Sequence, residues 1–273
     1  FRQGDHKVTV NPTTNNGTII TVDVPNGFIL GLTQVVVKHA QRGSSHAAYL
    51  QPTGGLGAVA STGGGATFFQ TDASTNQVVR QFSLGGGFDT VFTPDLTRAY
   101  VTAYNKVAVI DTLAIRQADA KLSTADVDFI PIPGNPLVHQ IAVDPLGHFV
   151  FVAGFAATVW VIDARPSSDT FNEVLRTIDL PRERPSIAGV SVTADGKHLL
   201  VGTGTDVNAG YLTVFKLNPD NEPVKDNLAP GDWGTLAHDV PLQGIPQAIA
   251  TSPDPTQPGF AAFTYRYRVT STS

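Results

Sequence analysis

The sequence contains no cysteine and no methionine among its 273 residues. The absence of cysteine excludes disulfide bonds, thiolate metal sites and a cysteine nucleophile. The absence of methionine removes one axial haem ligand, and without cysteine there is no Cys-x-x-Cys-His segment for covalent haem attachment. These absences argue against a haem-carrying electron-transfer protein, and we predict no cofactor for this chain.

Basic residues are also few, with 18 Lys and Arg against 23 Asp and Glu, which gives a net charge of −5. This balance argues against nucleic acid or an anionic membrane surface as a partner, and no basic cluster overrides it. No stretch approaches about eighteen consecutive apolar residues, so we predict no membrane span. The sequence opens on Phe1 rather than methionine, and we expect a processed chain or part of a longer one.

Several catalytic and ligand-binding motifs are missing as well. There is no Gly-x-Ser-x-Gly elbow, no His-Glu-x-x-His and no Walker phosphate loop. The glycine-rich segment at 54–67 has no βαβ context, and we interpret it as tight hairpin turns. Asp206 and Asn208 resemble half of a calcium loop, but the third acidic ligand and the distant glutamate are absent. These two residues are weak metal candidates, and we predict a turn there and no metal.

What the sequence does contain is clearest in residues 133–180, where four short apolar runs alternate with turn-forming segments. The runs are HQIAV, FVFVA, TVWVID and VLRTIDL, and the segments between them are DPLG, GFAA and RPSSD. Valine, isoleucine and phenylalanine dominate the runs, and none is long enough for a typical helix. We predict four antiparallel strands, in a unit that cannot bury both of its faces alone.

This unit recurs along the chain. The second residue of the first turn aligns in five places, each between two short apolar runs, at Pro52, Pro94, Pro145, Ala194 and Pro253. A third run follows in four of the five places. Alternation of turn and strand at a period of roughly 40 to 50 residues is typical of β-propeller blades.

The segments TPDLTRAYVTAYNKVAVIDT and TADGKHLLVGTG resemble the YVTN-type β-propeller repeat, which lactonase-like seven-bladed propellers share. The resemblance covers residues 44–263 and implies an all-β fold of four-stranded antiparallel blades. It implies no single activity, because that superfamily includes enzymes, surface-layer proteins and structural modules. Only four to five blades fit into this chain, so we expect part of a five- to seven-bladed propeller.

Residues 1–43 lack the blade turn and form a separate region in our division of the chain, before the blades at 44–273. We predict strands near Lys7–Val10, Thr18–Val24 and Thr33–His39. The segment TIITVDVPNGFILGLTQVVVK resembles the last strands of an immunoglobulin-like IPT/TIG module. Alternatively, these strands complete the last blade and close the ring, which leaves no open sheet edge.

The repeat alignment also yields candidate functional residues. His46 and His139 stand six residues before the aligned turn position, where the other repeats have Phe88, Ala188 and Gln247. They open the first strand of their blades, which lines the central channel of a propeller. Asp89 and Gln140 follow one step later. Two imidazoles and a carboxylate at one channel mouth are suited to general-base catalysis or to metal binding. The alternative is a structural role, with these side chains bound to water or backbone.

Further candidates lie on connecting segments. Arg182 and Arg184 flank a glutamate on a loop that enters the same mouth, where paired guanidinium groups bind anionic substrates. Trp233 lies in the insertion Asn218–Leu236, where it either forms a contact surface or folds back onto the blade. We expect this insertion, Leu113–Asp126 and the RPSSD segment near Arg165 to link third and fourth strands, on the same face as the aligned turns.

Three aspartates recur at strand ends, where we expect them to cap turns: Asp72, Asp111 and Asp163. For the whole chain, the sequence favours a non-enzymatic scaffold that binds a protein partner or flanking domains of a longer chain. We expect an extracellular, cell-surface or periplasmic location. The rival function is a lactonase-like hydrolase, which requires His46, His139 and Arg182 in one pocket.

Overall fold

A computed structural model of the chain describes residues 2–3, 6–7, 9, 14–15, 20–21, 33–35, 38–39, 43–44, 48–50, 55–71, 78–116, 123–180, 186–206, 209–217, 233–242, 246–252 and 260–264. Antiparallel strands joined by short connections dominate these residues, and the predicted all-β class is confirmed. A short helix α1 (Thr112–Arg116) and a 3-10 turn (Thr124–Asp126) lie in the connection that contains the first predicted insertion.

The described residues of the N-terminal part include eight short strands, which are β1 (Arg2–Gln3), β2 (His6–Lys7), β3 (Thr14–Asn15), β4 (Ile20–Thr21), β5 (Thr33–Val35), β6 (Lys38–His39), β7 (Gly43–Ser44) and β8 (Ala48–Leu50). Four of them form one sheet in the order β2-β1-β5-β8. The apolar run HAAYL, which precedes the aligned Pro52, was expected to begin the first repeat unit, but its strand β8 pairs with β5 and belongs to this sheet.

Five antiparallel sheets follow in the parts of the chain that the structure describes. Sheet 1 has three strands, β9 (Gly55–Ser61), β10 (Gly65–Thr71) and β11 (Val78–Ser83). Sheet 2 has four, β12 (Thr90–Phe92), β13 (Arg98–Ala103), β14 (Lys106–Asp111) and β15 (Asp128–Pro131). Sheet 3 contains β16 (Val138–Val143), β17 (Phe149–Gly154), β18 (Thr158–Asp163) and β19 (Val174–Asp179). Sheet 4 contains β20 (Ser186–Val192), β21 (His198–Asp206), β22 (Ala209–Lys216) and β23 (Thr235–Leu242), and sheet 5 contains β24 (Pro246–Thr251) and β25 (Phe260–Thr264).

The apolar runs of the central strands lack polar alternation because both faces of these strands are buried. In β17, Phe149 and Phe151 pack toward sheet 4, whereas Val150 and Val152 pack toward sheet 2. Trp160 of β18 is 4 % exposed and packs between sheets 2 and 3. A strand that is covered on both faces needs apolar residues at every position, which explains the short continuous runs.

Each pair of consecutive sheets, from sheet 1 to sheet 5, encloses its own apolar cluster. The first strands of sheets 2 to 5 (β12, β16, β20 and β24) contact one another in series. The sheets therefore repeat side by side, with their first strands together on one side of the array.

The aligned turns have one geometry in sheets 2, 3 and 4. The first residue of each turn stands directly before the aligned position, and its N–H donates a hydrogen bond to the carbonyl oxygen of the residue five places further along the chain. The N–O distance is 2.9 Å for Thr93, 3.0 Å for Asp144 and 2.9 Å for Thr193. The fourth residue of each turn has a positive φ, which is 54° for Leu96, 72° for Gly147 and 70° for Gly196. The alignment of Pro94, Pro145 and Ala194 is therefore confirmed at the level of the backbone.

These turns define two ends of the array. At the turn end, first strands connect to second strands and third strands connect to fourth strands, since successive strands are antiparallel. At the opposite end, which we call the hairpin end, second strands connect to third strands, and each first strand begins. The insertions after β14, β18 and β22 all link third to fourth strands, as predicted, so the chain leaves and re-enters the sheets at the turn end.

Two turns interlock across the boundary between sheets. A Cβ atom at Gly147 would lie 2.9 Å from Cδ of Pro94 in the preceding turn, and one at Gly196 would lie 3.7 Å from Cδ of Pro145. Glycine therefore serves two needs at Gly147, since it adopts the positive φ and leaves room for the neighbouring proline ring.

Gly154 provides a direct test of how closely the strand ends pack at the hairpin end. A Cβ atom there would lie 2.0 Å from the carbonyl oxygen of Leu137, a backbone atom that cannot rotate away. We expect Gly154→Ala to lower the free energy of unfolding by about 2 kcal/mol, as overpacking does. Urea denaturation of the variant measures this loss. Gly63→Ala is the control, because nothing lies within 4 Å of a Cβ atom at Gly63, and a loss of equal size there would contradict the prediction.

Candidate functional site

His139 lies at a β-bulge in the first strand of sheet 3. Val138 and Gln140 pair with adjacent residues of β17, so His139 has no residue opposite it in the partner strand. The same irregularity occurs at Ala188 in β20 and at Gln247 in β24. These are positions that the repeat alignment treats as equivalent, so the shared feature of the aligned site is a backbone distortion. Bulges redirect side chains, and the sequence patterns gave no sign of them.

The imidazole of His139 lies among aromatic rings. Its centroid is 4.6 Å from that of Phe155 and 6.3 Å from that of Phe88, which itself contacts Tyr104 edge-on at 6.1 Å. Burial lowers the pKa of His139, so the neutral ring prevails at neutral pH. Its Nε2 atom is buried and has no hydrogen-bond partner among the residues that the structure describes.

Asp89 connects sheet 2 to sheet 3 through its carboxylate. Oδ1 accepts a hydrogen bond from the N–H of Thr90 at 2.9 Å, and Oδ2 accepts one from the N–H of Ile141 at 3.2 Å. Burial raises the pKa of Asp89, and the two backbone donors partly offset that effect. Both oxygens thus satisfy backbone N–H groups, one within the residue's own sheet and one in the first strand of the next.

The other predicted candidates fall into three groups. Gln140 follows the bulge, pairs with Ala153 and is half-buried. Asp206 is the last residue of β21 and pairs with Ala209 at the hairpin end. The remaining candidates, and the expected turn aspartate Asp72, lie outside the described residues: His46, Arg182, Arg184 and Asn208.

Trp233 folds back onto sheet 3 and is only 3 % exposed, so the alternative of an exposed aromatic contact is wrong. Its ring stacks on Phe151 at 6.2 Å and meets Phe149 edge-on at 6.0 Å. The guanidinium carbon of Arg176 lies 5.0 Å from its centroid. The end of the long insertion is therefore anchored in the core between sheets 3 and 4.

A cavity of about 230 Å³ lies beside Trp233, at the turn end between sheets 3 and 4. It is lined by residues of the aligned turns of these two sheets and by four larger apolar side chains: Phe149, Phe151, Leu217 and Trp233. The polar side chains that line it are Asp144, His148 and Asp195. Sequence reasoning treated the first and third of these as ordinary turn residues and missed the cavity.

The two aspartates at the cavity also stabilise their own turns. The Asp144 carboxylate accepts hydrogen bonds from the N–H groups of Leu146 at 3.1 Å and Phe149 at 2.7 Å. Burial raises the pKa of Asp144, against the opposing effect of these donors and of the nearby His148. For Asp195, the Thr193 hydroxyl and a backbone N–H outweigh burial and lower the pKa.

Two of the three strand-end aspartates cap turns, as predicted. Asp111 accepts hydrogen bonds from the N–H groups of Leu113 and Ala114 at the start of α1. Asp163 is fully buried and accepts hydrogen bonds from Nε and Nη2 of Arg165, at 2.8 and 2.7 Å, and from the hydroxyl of Thr170 at 2.7 Å. Among the carboxylates that the structure describes, Asp163 accepts the most hydrogen bonds.

No protein-family model matches this chain, and no similar protein is found among curated proteins. The resemblance to the YVTN-type repeat therefore stays a prediction. Within the described ranges, no three His, Cys, Asp or Glu side chains lie close enough together to hold a metal ion. None of the helices described has the length and apolar content needed to cross a membrane.

Proposed function

We propose that sheets 1 to 5 are successive blades of a β-propeller. The serial contact of the first strands, the apolar cluster between each pair of sheets and the shared turn geometry support this proposal. The resemblance of the turn and strand segments to the YVTN-type repeat supports it from the side of the sequence. In such a fold the hairpin end, with the starts of the first strands, surrounds one mouth of the channel.

On this fold, the function that the geometry supports best is that of a non-enzymatic scaffold, outside the cytoplasm or at the cell surface, that binds a protein partner. The observation that supports this function best is the hydrogen bonding of the Asp89 carboxylate. Both of its carboxylate oxygens accept backbone N–H groups and join two sheets. A general base needs an oxygen or nitrogen within reach of its substrate, whereas both oxygens of Asp89 are hydrogen-bonded to the backbone.

The turn end is the contact surface in this proposal, because the chain enters and leaves all three long insertions there. Variable insertions on one face of a repeat fold are the usual place for partner binding. The long insertion can be shortened without loss of the core. The N–H of Gly234 donates to the carbonyl of Lys216 at 2.6 Å, so the two ends of the connection are already close together.

The test replaces residues 219–231 by Gly-Ser-Gly and leaves Trp233 in place. The immobilised chain is used to capture proteins from the extracellular fraction of the source cells, and a partner is accepted only if it also binds as a purified protein. We expect the shortened variant to bind that partner at least about tenfold more weakly, since about 1.4 kcal/mol of lost contact suffices for this.

His139→Phe is the matched variant at the hairpin end, because phenylalanine preserves packing against Phe88 and Phe155 but removes the imidazole nitrogens. We expect unchanged partner affinity in this variant. Hydrolysis of γ- and δ-lactones is measured in parallel with both proteins. Lactone hydrolysis by the unmodified chain that disappears in His139→Phe would establish the hydrolase in place of the scaffold.

A further inference from the structure

The cavity between sheets 3 and 4 is a separate site at the turn end, away from the histidine at the hairpin end. Its volume of about 230 Å³ is below the roughly 300–1,000 Å³ of pockets that take drug-sized ligands. A group of this size is a small organic molecule or a single side chain. The surrounding turns are held by repeated backbone hydrogen bonds, so the cavity is formed before any ligand arrives.

The apolar part of the cavity suits a chain of methylene groups. Phe149, Phe151, Leu217 and Trp233 all contribute to its lining and belong to the buried cluster between the two sheets. Leu146, from the turn of sheet 3, also lines it and is 60 % exposed at the protein surface. Long charged side chains bury such methylene stems against apolar surface while their charged ends find a polar partner.

The charged groups at the cavity favour a cation. Asp144 and Asp195 both line it, and His148 is the basic side chain in its lining. Both hydrogen bonds to Asp195 from described residues, from the Thr193 hydroxyl at 2.6 Å and the Lys197 N–H at 3.0 Å, end on Oδ1. No described residue donates to its Oδ2, which can accept a hydrogen bond from a ligand, and an anionic ligand would be repelled by two carboxylates.

The aromatic lining already accepts cations from this chain. The guanidinium carbon of Arg165 lies 5.0 Å from the centroid of Phe149, and that of Arg176 lies 5.0 Å from the centroid of Trp233. Cations are attracted to aromatic faces by the ring quadrupole. The rings that line the cavity thus form cation–π contacts within the chain itself.

We propose that this cavity binds the alkylammonium or alkylguanidinium end of a lysine or arginine side chain that a protein partner presents to the turn end. The methylene stem contacts Leu146 and the aromatic lining, and the charged end reaches Asp195 beside Asp144. The assignment of the side chain to a protein rests on the proposed function, whereas the preference for a cation rests on the cavity alone.

The first experiment measures the cavity alone, with N-acetyl-lysine methylamide and N-acetyl-arginine methylamide as probes. The chain contains two tryptophans, and 5-fluorotryptophan labelling gives each a fluorine NMR signal. We expect the Trp233 signal to shift with a Kd on the order of 1 mM, while that of Trp160, which is buried between sheets 2 and 3, does not. N-acetyl-norleucine methylamide, which has the stem without the charge, should bind at least about tenfold more weakly.

Asp195→Asn is the decisive variant, because the amide oxygen still accepts the turn hydrogen bonds but the charge is lost. We expect its affinity for the lysine probe to fall about tenfold. Asp95→Asn is the matched control, since Asp95 accepts the same kind of bonds from Thr93 and Thr97 in the turn of sheet 2. An unshifted Trp233 signal, equal binding of the norleucine probe, or equal losses in the two variants would each overturn the proposal.

The second experiment separates the source of the cation and uses the partner identified by capture. Asp195→Asn should weaken that partner about tenfold, and so should replacement of the partner's contacting lysine or arginine by alanine. If the amino-acid probes bind but the partner is unaffected by Asp195→Asn, the cavity serves a free amine and the assignment to a protein side chain is wrong. Failure of the shortened insertion to alter capture contradicts the scaffold function and leaves the probe result standing.

Discussion

Replacing Trp233 with alanine is expected to lower the free energy of unfolding by about 4 kcal/mol, the largest effect of any substitution considered. The indole is 3 % exposed, stacks on Phe151 and meets Phe149 edge-on. Its removal leaves a void between sheets 3 and 4 that rigid strands on both sides cannot fill. Urea denaturation followed by circular dichroism measures the loss.

Two further variants identify the cause of that loss. Leu236→Ala changes an apolar residue on the same segment that is 54 % exposed, and it should alter stability by less than about 0.5 kcal/mol. Trp233→Phe keeps an aromatic ring in the core and should lose less than Trp233→Ala. A loss below about 1 kcal/mol for Trp233→Ala would show that the long insertion does not contribute to the core.

Asp163→Ala is expected to cost about 3 kcal/mol, because it removes a buried carboxylate that holds a guanidinium and a hydroxyl. Burial acts to raise the pKa of Asp163, but the hydrogen bonds from Arg165, Ser168 and Thr170 prevail and lower it to about 2. Arg165 is 22 % exposed in its side chain, so water can solvate part of the guanidinium after the substitution. Exposed Asp179 provides the control, and Asp179→Ala should have little effect.

The same carboxylate also gives a pH signature. Because the folded pKa is below the unfolded one, the ionised form of Asp163 stabilises the fold above the unfolded pKa. That contribution, about 2 kcal/mol, disappears as the pH falls from about 4 through the folded pKa of about 2. Asp163→Asn should therefore lose less stability than the unmodified chain between these pH values. If the free energy of unfolding of both proteins fell equally with decreasing pH in this range, the role assigned to Asp163 would be contradicted.

Local patterns in the sequence were sufficient for much of the fold. The runs FVFVA and TVWVID became β17 and β18, because short segments rich in β-branched and aromatic residues between turn formers leave little alternative to a strand. The turns at Pro94 and Pro145 followed from proline and aspartate chemistry, which acts over four residues. Both predictions rest on forces that act within a few residues of the chain.

Features that depend on distant residues were not predictable in this way. The bulge at His139 depends on how β16 meets β17, and no glycine marks it in the sequence. Strand β8 pairs with β5 and not with the strands of sheet 1, and the apolar pattern does not distinguish these two partners. Trp233 finds its position only because Phe149 and Phe151 of another sheet provide a surface. The cavity beside it arises from the same long-range packing.

The candidate residues show the same limit for function. The alignment correctly grouped His139 with Ala188 and Gln247, but the common property is a bulge in the backbone. Asp89 was selected for its charge and proved to be bound to two backbone N–H groups. Asp195 was passed over as a turn residue, although it has an oxygen available at a cavity. Residue type identified the candidates, and only the geometry assigned their roles.

The interlocked turns have an evolutionary consequence. Gly147 and Pro94 belong to different repeats, yet the room that one needs is set by the ring of the other. A repeat that was duplicated into a new position would bring its own glycine, but the turn of the adjacent repeat would not be matched to it. The two turns would then pack loosely or clash. Gain and loss of repeats in this lineage should then proceed by exchange of adjacent pairs, in which proline and glycine are inherited together.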